Sequence, residues 1–429
     1  MTLRSMIAAL AGYVGARFLG AGLGLLTQLV LARTLLPADV TIIFMAMSAA
    51  AFLALLMSGG ETQLASTHLP QLLERGTTAL AGFHALVLRH MAAVFAVLLV
   101  VLALVWWLQV FSEMVMLALA VGLACAPFSA LARYNSMIAN SLRWFPLSYV
   151  PDFIVRPGLF LVTIAGFIAL GLSHNVLAAL AAFATFVWLV PLGQAMLMQG
   201  RGLRLAHWAD YQPRYARALR PRSMALLVVS VVSFAFADIV MLLAGFLLPA
   251  EEAALAGVAV RLAAIAGFVL QAGQLFVLPD FTRAMAHRDD ATANALLWRM
   301  NGLTVLMALA GLAVTMVLGR FVLSFFGPAY VGGAGLLTLF LVGQSIRALG
   351  GMNQNLLAIS GHQIHTASSC IVALVILVFG AVLMTSHMGL IGLGYAVIIA
   401  ELAWMLGLAA QAGSLCGRRA DLLWLTRNA

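Results

Sequence analysis

Apolar residues run along this chain in blocks of spanning length, and the polar residues gather in short intervals between them. The blocks fall at Ile7 to Leu31, Val40 to Gly59, Ala85 to Leu108, Met114 to Ile138, Leu147 to Leu172 and Val176 to Met198. After a basic interval they resume at Ser223 to Leu247, Ala253 to Val277, Met300 to Phe325, Gly332 to Leu357, Ile364 to Ser386 and Gly389 to Ala412. Each is close to the ~20 residues that an α-helix needs to cross a bilayer. Continuous runs of this length are not the alternating ten-residue segments of an outer-membrane barrel. The pattern predicts an all-α polytopic membrane protein with about twelve transmembrane helices, six on each side of the basic interval. The first block continues without a small-residue cleavage pattern, so it reads as a retained span rather than a signal peptide.

Composition agrees and narrows the chemistry. Of 429 residues, 64% are hydrophobic and 9% charged, against about 25% charge in a soluble domain. The mean hydropathy is +1.07. Every one of the 23 basic residues is Arg. A chain without lysine has neither a P-loop lysine nor a lysine Schiff base. Cys125, Cys370 and Cys416 stand far apart, with no C-x-x-C pair, and read as packing residues. No catalytic constellation, metal set or cofactor motif emerges. His362 and His365 sit at ligand spacing, but no acidic or thiol group lies nearby in sequence, and they read as a loop pair without a metal.

Arginine accumulates on the cytoplasmic side of membrane proteins, which orients the spans. With the N-terminus inside, 18 of the arginines fall on the cytoplasmic side, Arg133 and Arg156 among them, and Arg33 and Arg320 fall outside. Both termini are thus expected in the cytoplasm, with the chain in a bacterial inner membrane. The domain reading is an N-terminal bundle 1–200, a basic linker 201–222, a C-terminal bundle 223–413 and a cytoplasmic tail 414–429. The linker mixes arginines with Trp208, Tyr211 and Tyr215, and Glu61 to Arg75 has an apolar face of leucines. Between spans, both read as segments lying on anionic headgroups rather than as a nucleic-acid surface.

The halves repeat. Leu31 to Asp39 (LARTLLPAD) leaves the first span, and Leu243 to Glu251 (LAGFLLPAE) leaves the seventh at an offset of 212; Ser173-His174 recurs as Ser386-His387 at 213. Six spans separate equivalent points, so the repeats are parallel, a relation that places substrate in a central cavity between two six-helix bundles.

Five charges fall at membrane depth: Arg17, Asp238, Arg261, Arg347 and Glu401. Each costs about 2.5 to 3.5 kcal/mol on insertion scales, so each is expected to face another charge or a wet cavity. One reading pairs Asp238 with Arg261 and Glu401 with Arg347, as structural or coupling groups. The balance is positive by one, and Arg17 is the surplus. Guanidinium forks suit phosphate, which makes Arg17, Arg261 and Arg347 the candidate substrate-binding residues. Ala16, Gly20 and Gly24 form a small-residue stripe for close helix packing. Pro127, Pro151, Pro157 and Pro191 mark expected kinks.

Phe326-Gly327-Pro328-Ala329-Tyr330, Gln344, Gly350-Gly351, Ser360-Gly361-His362 and Gly389-Leu390-Ile391-Gly392 resemble the second half of polysaccharide and O-antigen flippases. These belong to the multidrug/oligosaccharidyl-lipid/polysaccharide exporter superfamily. Ala32 to Pro37 is similar to that family's R-x-L-G-P exit from the first span, with Leu36 in place of Gly; Asp238 and Val260-Arg261-Leu262 resemble its spans seven and eight. The resemblance covers nearly the whole chain. It implies alternating-access flipping of an undecaprenyl-pyrophosphate oligosaccharide for surface polysaccharide synthesis, with polysaccharide polymerase machinery as a partner. Lipid II flippases of the superfamily are similar in using intramembrane arginines, Arg17 standing in a comparable place. A drug or metabolite antiporter of the same superfamily is the alternative. A membrane glycosyltransferase, polymerase or ligase ranks below both, because the outer connections are too short for a catalytic loop.

Overall fold

The computed structural model describes residues 3–427 apart from 63, 65–76, 172–174 and 202–212; side chains are also left undescribed at 3–11, 13, 77–80, 213–219, 268–272, 275, 276 and 427. Most of the segment from Glu61 to Arg75, the Ser173-His174 repeat and the central part of the basic linker therefore lie outside the described residues. Helices account for nearly all of the rest. They are α1 (Leu3–Thr34), α2 (Pro37–Ser58), α3 (Thr77–Trp107), α4 (Glu113–Ser141), α5 (Phe145–Ala169), α6 (Val176–Gly200), α7 (Pro213–Phe234) and α8 (Phe236–Leu247). Then follow α9 (Ala250–Ala286), α10 (Asp290–Ser324), α11 (Ala334–Leu349), α12 (Asn353–Ile359), α13 (Thr366–Cys416) and α14 (Leu422–Arg427).

Nine described helices are long and apolar enough to cross a membrane, and α7 with α8, bent by 71° at their junction, adds one more when the pair is taken as a single span. Two further facts bring the account to about twelve. The 37 residues of α9 coincide with the eighth apolar block, and α13 is two spans in one. At Gly389 its backbone takes φ 56°, ψ −137°, a region open essentially to glycine. There the helix doubles back, and a Cβ on Gly392 would run into the Met384 carbonyl and come within 2.8 Å of the Thr385 nitrogen. Residues 366–388 and 390–416 are thus two arms of one hairpin turned by a single residue. This is a multi-pass membrane protein.

The chain divides into two compact units, Met1–Leu242 and Leu243–Ala429. The division falls inside α8, whereas the apolar pattern starts the second bundle at Ser223. In the first unit α2 and α4 form the most extensive pairing. Gly122 makes it close: an added Cβ would stand 2.5 Å from the Ala49 Cβ. Phe44, Met45, Met57, Tyr134 and Ile138 bury their side chains around this seam. Pro127 stands within α4 and Pro191 within α6. Around both, side chains take up backbone carbonyls as bilayer spans require: Trp188 Nε1 donates to Ala124 at 3.2 Å and Asn135 Nδ2 to Pro191 at 3.1 Å.

The repeated nonapeptides do the same local work in each unit. Thr34 ends α1, Leu36 is extended (φ −65°, ψ 148°) and Pro37 opens α2 with Asp39 in its first turn. In the second copy Leu247 ends α8, Pro249 is extended (φ −55°, ψ 148°) and α9 begins with Glu251 and Glu252 in its first turn. In each case an extended residue turns the chain, and carboxylates sit where the helix N-terminus favours negative charge.

Candidate functional site

The charges at membrane depth form two groups, one in each compact unit. In the second unit Arg347 lies on α11 and Glu401 on the later arm of α13. Gly343, one turn before Arg347, allows these helices to approach: an added Cβ would be 3.4 Å from Val397 and 3.7 Å from the Glu401 Cγ. Arg347 then closes on Glu401 with both arms of its fork. Nε donates to one carboxylate oxygen at 3.1 Å, and the terminal nitrogen makes a short contact with the other. The guanidinium also lies 4.6 Å from the Trp404 ring centroid. Glu401 is 1% exposed. Here the charge-pair reading of Glu401 and Arg347 is what the structure contains, and this fork is occupied by protein rather than open to a phosphate. Arg261, half-buried on α9, donates to the carbonyl of Gly257 at 3.3 Å and makes further interactions.

In the first unit α1 packs mainly on α5. Along this contact a Cβ on Gly12 would be 2.7 Å from the Tyr149 hydroxyl, and one on Gly20 would collide with the Phe153 carbonyl. Ala16 between them is buried, while Gly24 has open space beside it. The stripe is a packing seam at Ala16 and Gly20, which Gly12 extends, and it ends before Gly24. Arg17 lies on α1 between the two glycine contacts, half-buried, and interacts with other groups of the protein. It therefore sits level with the stretch of α5 that carries Asp152.

That stretch is unusual. Residues Pro151–Val155 form a π-helical turn between two α-helical parts of α5. Asp152 accepts from Arg156 at 2.9 Å across it. The charges of Asp152, Arg156 and Asp238 all act on the guanidinium of Arg133, which α4 brings to the same place. Reasoning from arginine counts placed Arg133 and Arg156 at the cytoplasmic edge; the structure puts them inside α4 and α5, roughly two and three turns from the helix ends. The signal that would have found them was their position within two apolar blocks together with Asp152 one turn before Arg156. Asp238 is half-buried near the start of α8, just past the bend, and interacts with other groups of the protein. It belongs to the first unit and Arg261 to the second.

Other candidates are plain. His362 and His365 have ring centroids 5.5 Å apart, edge to face. Among the described residues no three His, Cys, Asp or Glu side chains come together as a metal site. Cys125 and Cys370 are buried thiols, and Cys416 is half-buried.

No protein-family model matches the chain, and no curated protein does. Solved structures do. An inward-facing multidrug resistance MATE family transporter of the MOP superfamily aligns with TM-score 0.70 and 16% identity over 92% of this chain and 96% of its own. The lipid II flippase MurJ in an inward closed conformation aligns with TM-score 0.70 and 16% identity, over 93% of this chain and 87% of its own. A MOP superfamily transporter from Pyrococcus furiosus, described as having a binding pocket of reverse polarity that suggests a different function, aligns with TM-score 0.55 and 16% identity, over 95% and 96%. Likeness at this identity is one of architecture, and in architecture the chain is a MATE- and MurJ-like helical fold of about twelve helices.

Proposed function

We propose that this protein is a flippase that carries a lipid-linked, pyrophosphate-bearing oligosaccharide across the bacterial inner membrane by alternating access. The observation that carries the reading is the sign of the charge inside the spans. Arg17, Arg133, Arg156, Arg261 and Arg347 stand against Asp152, Asp238 and Glu401, a positive excess that remains after Arg347 and Glu401 cancel. A cationic excess within the spans of a transporter-type fold favours an anionic cargo, and guanidinium suits phosphate geometry. The Pyrococcus furiosus neighbour supports using polarity as the discriminator, since its own pocket polarity was taken to separate its function from that of fold relatives. Arg17 and Arg261 are the substrate-binding residues in this reading. The orientation follows the arginine pattern, with both termini in the cytoplasm, and polymerase machinery would receive the flipped lipid.

A small-molecule antiporter is the second reading, because the multidrug MATE structure aligns as well as the flippase does. An enzyme acting on the same lipid is disfavoured by connections too short to carry a catalytic loop. Leu35 and Leu36 alone join α1 to α2, and Gly389 alone joins the arms of α13.

The test is flipping in liposomes. Labelled pyrophosphate-linked glycolipid should become accessible to an external sugar-modifying probe faster than in empty vesicles. In cells lacking the protein, complete lipid-linked oligosaccharide should stay on the cytoplasmic leaflet. No acceleration for any such lipid of the host, with an unchanged lipid pool and altered drug tolerance, would replace the flippase by the antiporter.

A further inference from the structure

The tenth span is broken. Its long part, α11, ends at Leu349; α12 resumes at Asn353; and Gly351 between them has φ 59°. A break frees backbone donors and acceptors that a membrane protein must satisfy from elsewhere. Here one backbone donor, the Met352 amide, and the Asn353 side chain are held by the segment that follows α13. The Met352 amide donates to the Ala420 carbonyl at 3.0 Å, and the Ala420 amide donates to Asn353 Oδ1 at 2.7 Å. Asn353 Nδ2 donates to Asp421 Oδ2 at 3.0 Å and to the Gly350 carbonyl at 3.1 Å. Asn301 of α10 donates to the same Ala420 carbonyl at 2.8 Å. Within the helices, Gln274 of α9 adds a donor to the Gly351 carbonyl at 3.3 Å.

The segment has its own supports. Arg419 holds both oxygens of Asp421, at 2.7 and 3.0 Å, and Asp421 caps α14 through the Trp424 amide at 3.0 Å. Arg418 reaches Asp290 and Asn294 on α10. Ala420, Asp421, Asn301 and Asn353 are all at most 2% exposed. The fit leaves no slack, since a Cβ on Gly351 would lie 2.5 Å from the Ala420 carbonyl. Immediately above, Gly350 backs onto Met405, where a Cβ would be 2.9 Å from its Cγ, one turn beyond Glu401.

We propose that residues 418–421 are a detachable latch, a ligand in cis for the break in the tenth span. Seated, they hold the end of α11 in the position that aligns Arg347 with Glu401. Released, they leave the Met352 amide and the Asn353 side chain to water, and α11 and α12 become free to move separately. The chemistry favours release over permanent anchoring. From 418 to 421 the hold is polar, and each such bond is worth little net where water can replace it. The latch rests on the transport reading only for its effect on activity.

The experiment compares backbone hydrogen exchange in the full chain, in Asp421→Ala, in Asn353→Ala and in a chain ending at Gly417, all in the same detergent. Exchange across 349–356 should rise at least tenfold in each variant while α2 and α4 stay protected. A synthetic peptide of residues 417–427 added to the shortened chain should restore slow exchange. Trypsin should cut the two point variants after Arg419 faster than the full chain. Unchanged exchange across 349–356 in the folded shortened chain overturns the latch. If the shortened chain does not fold, unchanged exchange and unchanged trypsin cleavage in both point variants overturn it. Absence of flipping by the full chain itself would instead count against the proposed function and leave the exchange result standing.

Discussion

Arg347 and Glu401, 54 residues apart in the chain, meet fork to carboxylate beneath the ring of Trp404. Removing one member strands a buried charge, at a cost of roughly 3–5 kcal/mol. Arg347→Met and Glu401→Leu should each lower the melting temperature of the purified protein markedly. The double substitution should recover most of the loss. Equal or greater damage in the double variant would show that the pair does not act as a unit.

Arg17 is the sharpest test of cargo charge. Arg17→Ala should abolish flipping in liposomes with membrane abundance retained, and Arg17→Lys should restore part of it, because lysine keeps the charge without the planar fork. Reduced abundance with normal activity per molecule would make the residue structural.

Gly20 and Gly24 differ in their surroundings although they are one turn apart. Alanine at 20 pushes into the Phe153 carbonyl, and alanine at 24 meets open space. Gly20→Ala should cost about 1–3 kcal/mol by overpacking, read as a lower melting temperature, and Gly24→Ala should leave it unchanged or higher.

Gly389 turns the hairpin of α13 in a conformation that other residues adopt only under strain. Gly389→Ala should destabilise by about 1–3 kcal/mol. Denaturant melts of the two proteins in one detergent measure it.

Topology follows from the arginine distribution. Reporter fusions after Gly200 and at the C-terminus should both report the cytoplasm. An external signal at either site would contradict the six-plus-six reading.

Hydropathy made the fold legible, since apolar runs of spanning length leave helices as the sole arrangement that satisfies the backbone in lipid. The nonapeptide repeat was legible for a similar reason: a proline after an extended residue and an acidic first turn are local signals. Glu401 and Arg347 could be matched because so few charges lie within the apolar blocks. The gathering of Arg133, Asp152 and Arg156 was not legible because counting arginines by side treats Arg133 and Arg156 as loop charges, and the π turn beside them has no hydropathy signature. The polar closure of the tenth span was hidden for another reason. Asn301 and Asn353 find Ala420 across 119 and 67 residues, and asparagine carries no periodic pattern that announces such a partner.

The π turn at Pro151–Val155 is in effect one residue too many for a regular helix, and its cost is spent on register. An α-helix advances about 100° per residue, so the insertion rotates everything after it by about that angle relative to everything before. Asp152, within the turn, and Arg156, the first residue of the second part, act on Arg133 of α4, and Phe160 and Ile164 farther along that part are buried. A single-residue deletion within the turn would remove that offset and swing the second part of α5, with Arg156, Phe160 and Ile164, by about 100° against its neighbours.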